Sequence, residues 1–206
     1  MSIEVKISKK RVPYQKALTA LEKRVESLKK GSKKELLWIL EHPITYTAGI
    51  RFQENEILDK KIKVIRTNRG GKVTLHNPGQ KIIYLVVDLK KRKKDVRLFI
   101  TTIEKSIIEL LKIYNIKAKS DRKNIGIWVN RNKKREKVAA IGIKVKRWIA
   151  YHGFSLNISN DLSNYKKIIP CGIKDKGITS LKKINNKNYD RISEKIIKNL
   201  YSNLKI

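Results

Sequence analysis

The chain has 206 residues, of which 40% are hydrophobic, so it is long enough to bury a substantial core in one large domain or two small ones. Its single cysteine, Cys171, excludes an internal disulfide and is typical of a reducing compartment. Because "MSIEVKISKKRV" lacks the apolar core of a signal peptide and no stretch reaches the ~18 apolar residues that cross a bilayer, we expect a soluble, cytoplasmic protein without a membrane span.

The formal net charge of +32 is typical of nucleic-acid-binding proteins, and two basic clusters support that hypothesis: "KKRKK" (90–94) and "RNKKREK" (131–137). The basic residues are nevertheless spread along the whole chain, and the sequence has no zinc-finger spacing, RNP-like aromatic motif or helix-turn-helix pattern. Nucleic-acid binding is therefore the weaker hypothesis. A basic surface equally suits an acidic protein partner, because opposite charges accelerate encounter, and the cluster 90–94 is also typical of a solvated loop.

Hydrophobic periodicity predicts the elements of the first half of the chain. A first helix, ended by Gly31, is predicted by apolar residues at helical spacing: Tyr14, Ala17, Leu18, Leu21, Val25 and Leu28. "ELLWILEH" predicts a buried strand, "HPITYTAGIRF" a break at Pro43 with a loop, and "IKVIRT" a short strand. "RGGKVTLHNPGQKIIYLVVDL" predicts two strands joined through "HNPGQ".

The second half again places a helix before a group of strands. One face of a long helix is traced by Val96, Phe99, Ile100, Ile103, Ile107, Leu110 and Leu111. Three strands are predicted by "IGIWV", "KVAAIGIKV" and "AYHGFSLNIS", and a closing helix by Ile192, Ile196, Ile197, Leu200 and Leu204. This order predicts an α+β fold with a mixed or antiparallel sheet, as a single domain over residues 1–206 or with a small lobe after Cys171.

The three histidines, His42, His76 and His152, are far apart in the sequence, and none has the spacing of a metal ligand pair. A zinc site would also need ligands that a chain with one cysteine does not offer. We therefore expect no metal. A Cys/His pair remains open from the residues alone.

Glycine-bearing stretches mark places where the backbone approaches a ligand or another strand closely. "RGGKVTLHNPGQ" has neither the P-loop nor the dinucleotide-binding spacing, so a tight turn is an equal alternative. "KVAAIGIKV" and the strand around Gly153 allow close packing as well as ligand binding. Pro170 and Gly172 predict a turn around Cys171, which is either a packed thiol or a nucleophile.

Taken together, these stretches resemble the lipoyl(octanoyl) transferase family, the octanoyltransferases that make protein-bound lipoate. The stretches that carry the resemblance follow the family's order from Leu40 to Leu181: "LEHPITYTAGIR", "RGGKVTLHNPGQ", "KVAAIGIKVKRWIAYHGFSLN", "DLSNYKKIIPCGI" and "GITSL". The resemblance implies the α+β fold of the biotin and lipoate protein ligases, with a mixed sheet flanked by helices. It also implies transfer of an octanoyl group from octanoyl-acyl carrier protein to a lysine of lipoyl domains, such as those of 2-oxoacid dehydrogenases and the glycine cleavage H protein.

The resemblance also assigns roles to residues, and we expect the reaction to need no cofactor because the donor is already activated. Cys171 of "PCG" corresponds to the family nucleophile, and Lys137 to its lysine partner. The family's acyl-binding segments correspond to Arg69, Gly70, Gly71, Lys72, Val73, Thr74, Leu75, His76, Ala140, Ile141, Gly142, Gly153, Phe154 and Ser155. Two residues depart from the family pattern: Asn77 stands where glycine is usual and can adopt a left-handed turn, and Ser155 stands where alanine is usual.

A thiol and an amine suit this chemistry, because a thioester donor can pass its acyl group to a cysteine without ATP. A free cysteine is mostly protonated at neutral pH, and a nearby lysine ammonium favours the reactive thiolate. An ATP-dependent ligase of the same fold is the alternative within this class, although such ligases do not need the cysteine of "PCG". A basic nucleic-acid-binding module is the alternative of a different class.

Overall fold

A computed structural model describes residues 3–31, 34–131, 133–172 and 176–204, and of Cys171 it describes the backbone alone. The helices are α1 (Tyr14–Lys29), α2 (Val96–Ile113), α3 (Leu181–Ile184) and α4 (Ile192–Leu204). The strands are β1 (Ile3–Ile7), β2 (Glu35–Leu40), β3 (Thr45–Ala48), β4 (Val64–Arg66), β5 (Val73–His76), β6 (Gln80–Asp88), β7 (Ala118–Ser120), β8 (Ile127–Arg131), β9 (Lys134–Lys146), β10 (Ile149–Asn157) and β11 (Gly177–Ile178).

Within the described residues, eight strands form a large mixed sheet in the order β1-β2-β6-β10-β9-β8-β7, with β11 paired to β9. The β1–β2 and β9–β11 pairs are parallel, and the other pairs are antiparallel. A small sheet has the order β4-β3-β5. The predicted α+β fold with a mixed sheet flanked by helices is therefore confirmed.

Helices cover both faces of the large sheet, because successive side chains of a strand point to opposite faces. On β2, Trp38 packs with α1, whereas Leu37 and Ile39 pack with α2 and α4. Helix α1 buries the residues that its periodicity predicted: Tyr14, Ala17, Leu18, Leu21, Val25 and Leu28. Helix α2 begins after Asp95, whose side chain accepts a hydrogen bond from the Leu98 N–H at 2.9 Å, a standard N-cap.

The strand predictions are confirmed except in "HPITYTAGIRF", where the expected loop contains β3. That expectation was wrong. Strand β3 is too short to show a clear pattern in the sequence, but it pairs with β4 on one side and β5 on the other, and its Tyr46 packs into a separate apolar cluster. The two strands around "HNPGQ" exist, but β5 belongs to the small sheet and β6 to the large one. In that connection the positive φ (+83°) belongs to Gly79, whereas Asn77 is buried and donates to the Asp161 carbonyl.

The segment that follows the cysteine turn packs into the same hydrophobic cluster as α2. That cluster includes Leu181, Tyr189 and the buried face of α4. The basic cluster 90–94 is also partly structural, because the Arg92 guanidinium forms two hydrogen bonds, of 2.7 and 2.8 Å, with the buried carboxylate of Glu35. A solvated loop is thus the wrong description of Arg92, although Lys90 and Lys91 are exposed.

Candidate active site

A cavity of about 360 Å³ lies between the small sheet and strands β9 and β10 of the large sheet. Segment 69–72 and strand β5 face β9 and β10 across it. The predicted acyl-binding residues that line it are Arg69, Gly70, Gly71, Lys72, Thr74, His76, Ala140, Ile141, Gly142, Gly153, Phe154 and Ser155. Two parts of the chain that are far apart in the sequence, 69–76 and 140–155, therefore meet at this cavity.

Two of the predicted residues, Val73 and Leu75, do not line the cavity. Both are fully buried and pack with Tyr46, Tyr165 and Ile168 on the other side of β5. The cause is the two-residue alternation of a strand, which turns Thr74 and His76 toward the cavity and their neighbours away from it. On β5, therefore, only alternate residues of the predicted motif reach the cavity.

The floor of the cavity is formed by small residues on neighbouring strands. Gly153 pairs with Gly142, and Ser155 pairs with Ala140. A Cβ atom at Gly153 would overlap the Ile83 carbonyl oxygen, which confirms the expected close approach of backbones at this glycine. The floor is therefore backbone with little side chain above it, and it leaves room for a long, narrow ligand.

Arg69 lines the cavity, but its guanidinium forms hydrogen bonds with neighbouring parts of the protein. It donates to the Thr47 carbonyl at 2.7 Å, to the Thr47 hydroxyl at 2.8 Å and to the Gly70 carbonyl at 3.0 Å. These bonds tie segment 69–72 to strand β3. The arginine thus shapes the wall that the glycines of this segment form.

Lys137 reaches the cavity from a β-bulge between β8 and β9. Trp128 pairs with Lys137 and Ile127 with Ala139, so Val138 is the extra residue. The Lys137 side chain is 3% exposed, and its ammonium donates to the Ile125 carbonyl at 3.1 Å. The bulge therefore turns the buried Lys137 amine toward the cavity, whereas regular pairing would point it elsewhere.

The ring of Trp128 is surrounded by cations. Lys137 Nζ lies 4.7 Å from its centroid, Arg135 Cζ 5.1 Å and Lys176 Nζ 5.3 Å. Asp121 offsets part of this charge, because it pairs with Arg135 at 2.8 Å and with Lys176 at 4.0 Å. The surroundings of Lys137 are therefore strongly positive, which favours an anion in the cavity nearby.

The turn that carries Cys171 reaches the same cavity. Residues Pro170–Gly172 form one turn of 3₁₀ helix, and Gly172, with φ +67°, lines the cavity together with Lys137. The turn predicted around Cys171 is confirmed. Its side chain lies outside the described residues, so the contact between the thiol and the Lys137 ammonium stays a prediction.

A buried ion pair lies directly against this turn. Glu56 is 2% exposed, and its carboxylate lies 2.5 Å from Lys72 Nζ. A Cβ atom at Gly172 would come within 2.8 Å of Glu56 Oε1 and 2.5 Å of Lys72 Nζ. The backbone of Ile169 also donates to the Glu56 carbonyl at 2.7 Å, so Glu56 both fixes the turn and places a negative charge beside it.

The three histidines, which are distant in the sequence, meet in the structure with two tyrosines. His76 stacks on Tyr14 with ring centroids 5.8 Å apart, and His42 lies 5.2 Å from Tyr14 and 5.8 Å from Tyr84. His152, Tyr14 and Tyr84 line the cavity with His76. In the described part of the chain, no group of three or more His, Cys, Asp or Glu side chains is arranged to hold a metal ion.

The hydrogen bonds of His42 and His76 fit neutral tautomers. His42 Nδ1–H donates to the Val12 carbonyl (2.5 Å), and its Nε2 accepts from the Tyr84 hydroxyl (2.8 Å). His76 Nδ1–H donates to Gln80 Oε1 (2.8 Å). Burial lowers the pKa of His42 to about 4. Burial and the nearby cations Arg69 and Lys144 lower the pKa of His152 to about 3. Burial also lowers the pKa of His76 well below its usual value.

Sequence reasoning missed several residues of the site: Tyr14, Arg51, Glu56, Tyr84, Lys123, Trp128 and His152. The sequence pattern identified Tyr14 and Tyr84 only as apolar residues of a predicted helix and a predicted strand. Glu56 and His152 gave no local signal, because their role depends on contacts with segments that are far away along the chain. The glycine beside His152 was a usable clue, since it marked the close approach of β10 to β6.

Known proteins resemble this chain over most of its length. Residues 13–200 match the family model described as the lipoyl protein ligase A/B catalytic domain. An octanoyltransferase of Wolbachia sp. subsp. Brugia malayi is 45% identical over 88% of this chain and 89% of its own length. An octanoyltransferase of Ehrlichia chaffeensis is 41% identical over 98% of this chain and 97% of its own.

Solved structures of lower identity share the fold. A T. acidophilum protein solved with bound lipoic acid superposes with a TM-score of 0.78 at 16% identity, covering all of this chain and 87% of that one. Lipoate-protein ligase A bound with ATP gives a TM-score of 0.72 at 15% identity over 98% and 86% of the two chains. None of the helices in the described ranges is long and apolar enough to cross a membrane.

Proposed function

The chain belongs to the lipoyl protein ligase A/B catalytic-domain family and to the octanoyltransferases within it, and we propose that it works through a Cys171 thioester with Lys137 as proton carrier. The donor is octanoyl-acyl carrier protein, and the acceptor is a lysine of a lipoyl domain. The observation that carries this proposal is the meeting of the Cys171–Gly172 turn and the Lys137 side chain at one cavity.

The reaction proceeds in two balanced steps. The Cys171 thiolate attacks the carbonyl of the donor thioester, and the carrier thiol leaves with a proton from Lys137. The acceptor lysine amine then attacks the Cys171 thioester, Lys137 takes up the amine proton, and the cysteine leaves as thiolate. The product is an amide, which is more stable than either thioester, so no nucleotide is needed.

The acyl chain lies on the small-residue floor of the cavity. Ala140, Gly142, Gly153 and Ser155 leave the sheet backbone open to a narrow alkyl chain. Each buried methylene contributes about 0.8 kcal/mol, so an apolar slot rejects shorter chains only gradually. Ser155 adds a hydroxyl to this floor in the place where the family usually has alanine.

The protein partners approach a positively charged rim. Arg51 and Lys123 line the cavity and are exposed, which suits acidic carrier proteins and acidic lipoyl domains. Lipoyl domains of 2-oxoacid dehydrogenases and of the glycine cleavage H protein are the acceptors we propose. A working free thiol needs a reducing compartment, so we assign the reaction to the cytoplasm.

The decisive assay combines purified enzyme, octanoyl-acyl carrier protein and a lipoyl domain without nucleotide. We expect the lipoyl domain to gain one octanoyl group on a lysine, and we expect Cys171→Ala to abolish the transfer. An ATP-dependent ligase would instead use free octanoate and require ATP. Tight, salt-sensitive binding to oligonucleotides in place of acyl transfer would favour a nucleic-acid-binding module.

A further inference from the structure

The hydroxyl of Tyr14 is a buried polar group. The side chain is 3% exposed and lines the cavity, yet among the described residues no atom forms a hydrogen bond with the hydroxyl. The neighbouring Tyr84 hydroxyl, in contrast, donates to His42 Nε2 at 2.8 Å. An unpaired buried hydroxyl is unfavourable, so the Tyr14 oxygen calls for a hydrogen-bonding ligand within the cavity.

His76 supplies an acceptor beside this donor. Its ring is stacked on Tyr14, with centroids 5.8 Å apart and planes 14° apart. Because Nδ1–H donates to Gln80 and burial keeps the ring neutral, Nε2 carries a lone pair on the side of the ring away from Gln80. A donor and an acceptor thus lie together in a polar corner of the cavity, and together they give a water molecule two partners.

Ring contacts place this corner on the β6 side of the cavity, because the His42 ring lies 5.2 Å from Tyr14 and 5.8 Å from Tyr84 on β6, whereas Lys137 enters from β9. Ile82 and Tyr84 on β6 pair with Ser155 and Gly153 on β10, which pair in turn with Ala140 and Gly142 on β9. These residues share the sheet face that α1 covers, since Ile82 and Tyr84 pack in its cluster. Two strand spacings, about 10 Å, separate β6 from β9, which is close to the length of an extended eight-carbon chain.

We propose that Tyr14 and His76 hold a water molecule at the far end of the cavity, and that this water limits the acyl chain to eight carbons. The proposal rests on the function proposed above and adds a structural reason for the length of the acyl group that the enzyme accepts. An octanoyl tail ends against the water, which receives a hydrogen bond from Tyr14 and donates one to His76. A longer tail must expel the water and leave both side chains unpaired, which offsets the gain from the extra methylenes.

Tyr14→Phe tests this directly, because it removes one oxygen atom and keeps the ring. We would measure kcat/KM for hexanoyl-, octanoyl-, decanoyl- and dodecanoyl-acyl carrier protein. The decanoyl-to-octanoyl ratio is expected to rise about tenfold, which corresponds to one hydrogen-bonded polar contact. Tyr114→Phe is the matched control, because Tyr114 is buried on the opposite face of the sheet, away from the cavity, and it should leave the ratio unchanged.

Two further variants separate the water from a steric wall. His76→Leu should raise the same ratio, and the double variant should raise it no more than either single change, because both residues hold one water. An unchanged ratio in Tyr14→Phe, together with a raised ratio in Tyr14→Ala, would mean that ring volume sets the length. Ile100 of α2 also lines the cavity, and a ratio that responds to Ile100→Ala but not to Tyr14→Phe would place the tail elsewhere in the cavity and overturn the proposal.

Calorimetry with free octanoic and decanoic acids repeats the comparison without catalysis. Wild-type enzyme should prefer octanoic acid, and Tyr14→Phe should lose that preference. If the wild type transfers no acyl group from any donor but shows this change in binding, the proposed reaction fails and the water-capped pocket stands. If transfer proceeds while the binding preference is the same in both proteins, the pocket proposal fails and the proposed reaction stands.

Discussion

The N–H of Thr179 donates a 3.0 Å hydrogen bond to the carbonyl of Lys137. Strand β11, which precedes Thr179, also pairs in parallel with β9 at Lys137 itself. The chain that leaves the Cys171 turn is thus fastened to the residue proposed to act with that cysteine. Because the link uses backbone atoms only, changing the side chain of Lys137 should leave the position of the turn intact.

Lys137→Gln is therefore a test of chemistry more than of folding. We expect the rate of acyl-enzyme formation to fall by at least about a hundredfold, because a proton carrier beside the thiol is lost. Rapid-quench kinetics with octanoyl-acyl carrier protein would measure it. Lys134→Gln is the matched control, since Lys134 lies on the same strand but is exposed, and an equal loss in both variants would contradict the assignment.

The ion pair between Glu56 and Lys72 should tune the cysteine in opposite directions. Glu56→Gln removes a negative charge beside the turn, so the pKa of the Cys171 thiol should fall, and Lys72→Gln should raise it, each by about one unit. The pH dependence of iodoacetamide alkylation reports this pKa without ambiguity, because the chain has one cysteine. Shifts of the same sign in the two variants would indicate a loosened turn instead of electrostatics.

The buried histidines should make the fold sensitive to mild acid. Histidines of the unfolded chain titrate near pH 6.5, whereas burial lowers the pKa of His42 to about 4 and that of His152 to about 3. Between these values the unfolded state binds more protons. The free energy of unfolding should therefore fall as the pH drops from 6.5 toward 4, by up to about 1.4 kcal/mol per pH unit for each histidine.

Urea denaturation between pH 7 and 4.5 would measure that slope. His152→Asn provides the comparison, because asparagine tolerates the positive φ of +66° at this position and does not titrate. Carboxylates contribute equally to both proteins, so a shallower slope in the variant isolates His152. Equal slopes would contradict a neutral, buried His152.

The basic cluster 90–94 should divide into one structural residue and exposed neighbours. Arg92→Gln leaves the buried Glu35 carboxylate without its guanidinium, which should cost about 3–5 kcal/mol of the free energy of unfolding. Lys91→Gln, one residue away and exposed, should change it by less than about 0.5 kcal/mol. Thermal and urea unfolding of the two variants would decide, and equal effects would refute the structural role of Arg92.

The contrast between predicted and observed features follows from the range of the interactions involved. The apolar stripe of α1 and the alternation of Phe154 and Leu156 on β10, continued by Ile158 just after it, are local patterns, so periodicity was enough to predict them. Strand β3 exists because two other strands bind its edges, and no pattern within four residues shows that. The bulge at Val138 depends on the partner strand in the same way.

The same distinction between local and long-range interactions applies to the candidate site. Resemblance identified the segments that line the cavity, but it could not tell Thr74 and His76 from Val73 and Leu75, because the facing of β5 is set by the sheet it joins. The meeting of His42, His76 and His152 with Tyr14 is a property of tertiary packing. Glu56 becomes relevant to the cysteine only because its segment lies against Ile169 and Gly172.

The covalent intermediate gives the most direct test of the central claim. Enzyme mixed with octanoyl-acyl carrier protein and no nucleotide should gain one octanoyl group, which peptide mapping should locate on Cys171 and hydroxylamine should release. On addition of a lipoyl domain, this adduct should disappear at least as fast as the enzyme turns over. An adduct on another residue, no adduct, or an adduct on Cys171 that the lipoyl domain does not discharge would contradict a Cys171 thioester relay.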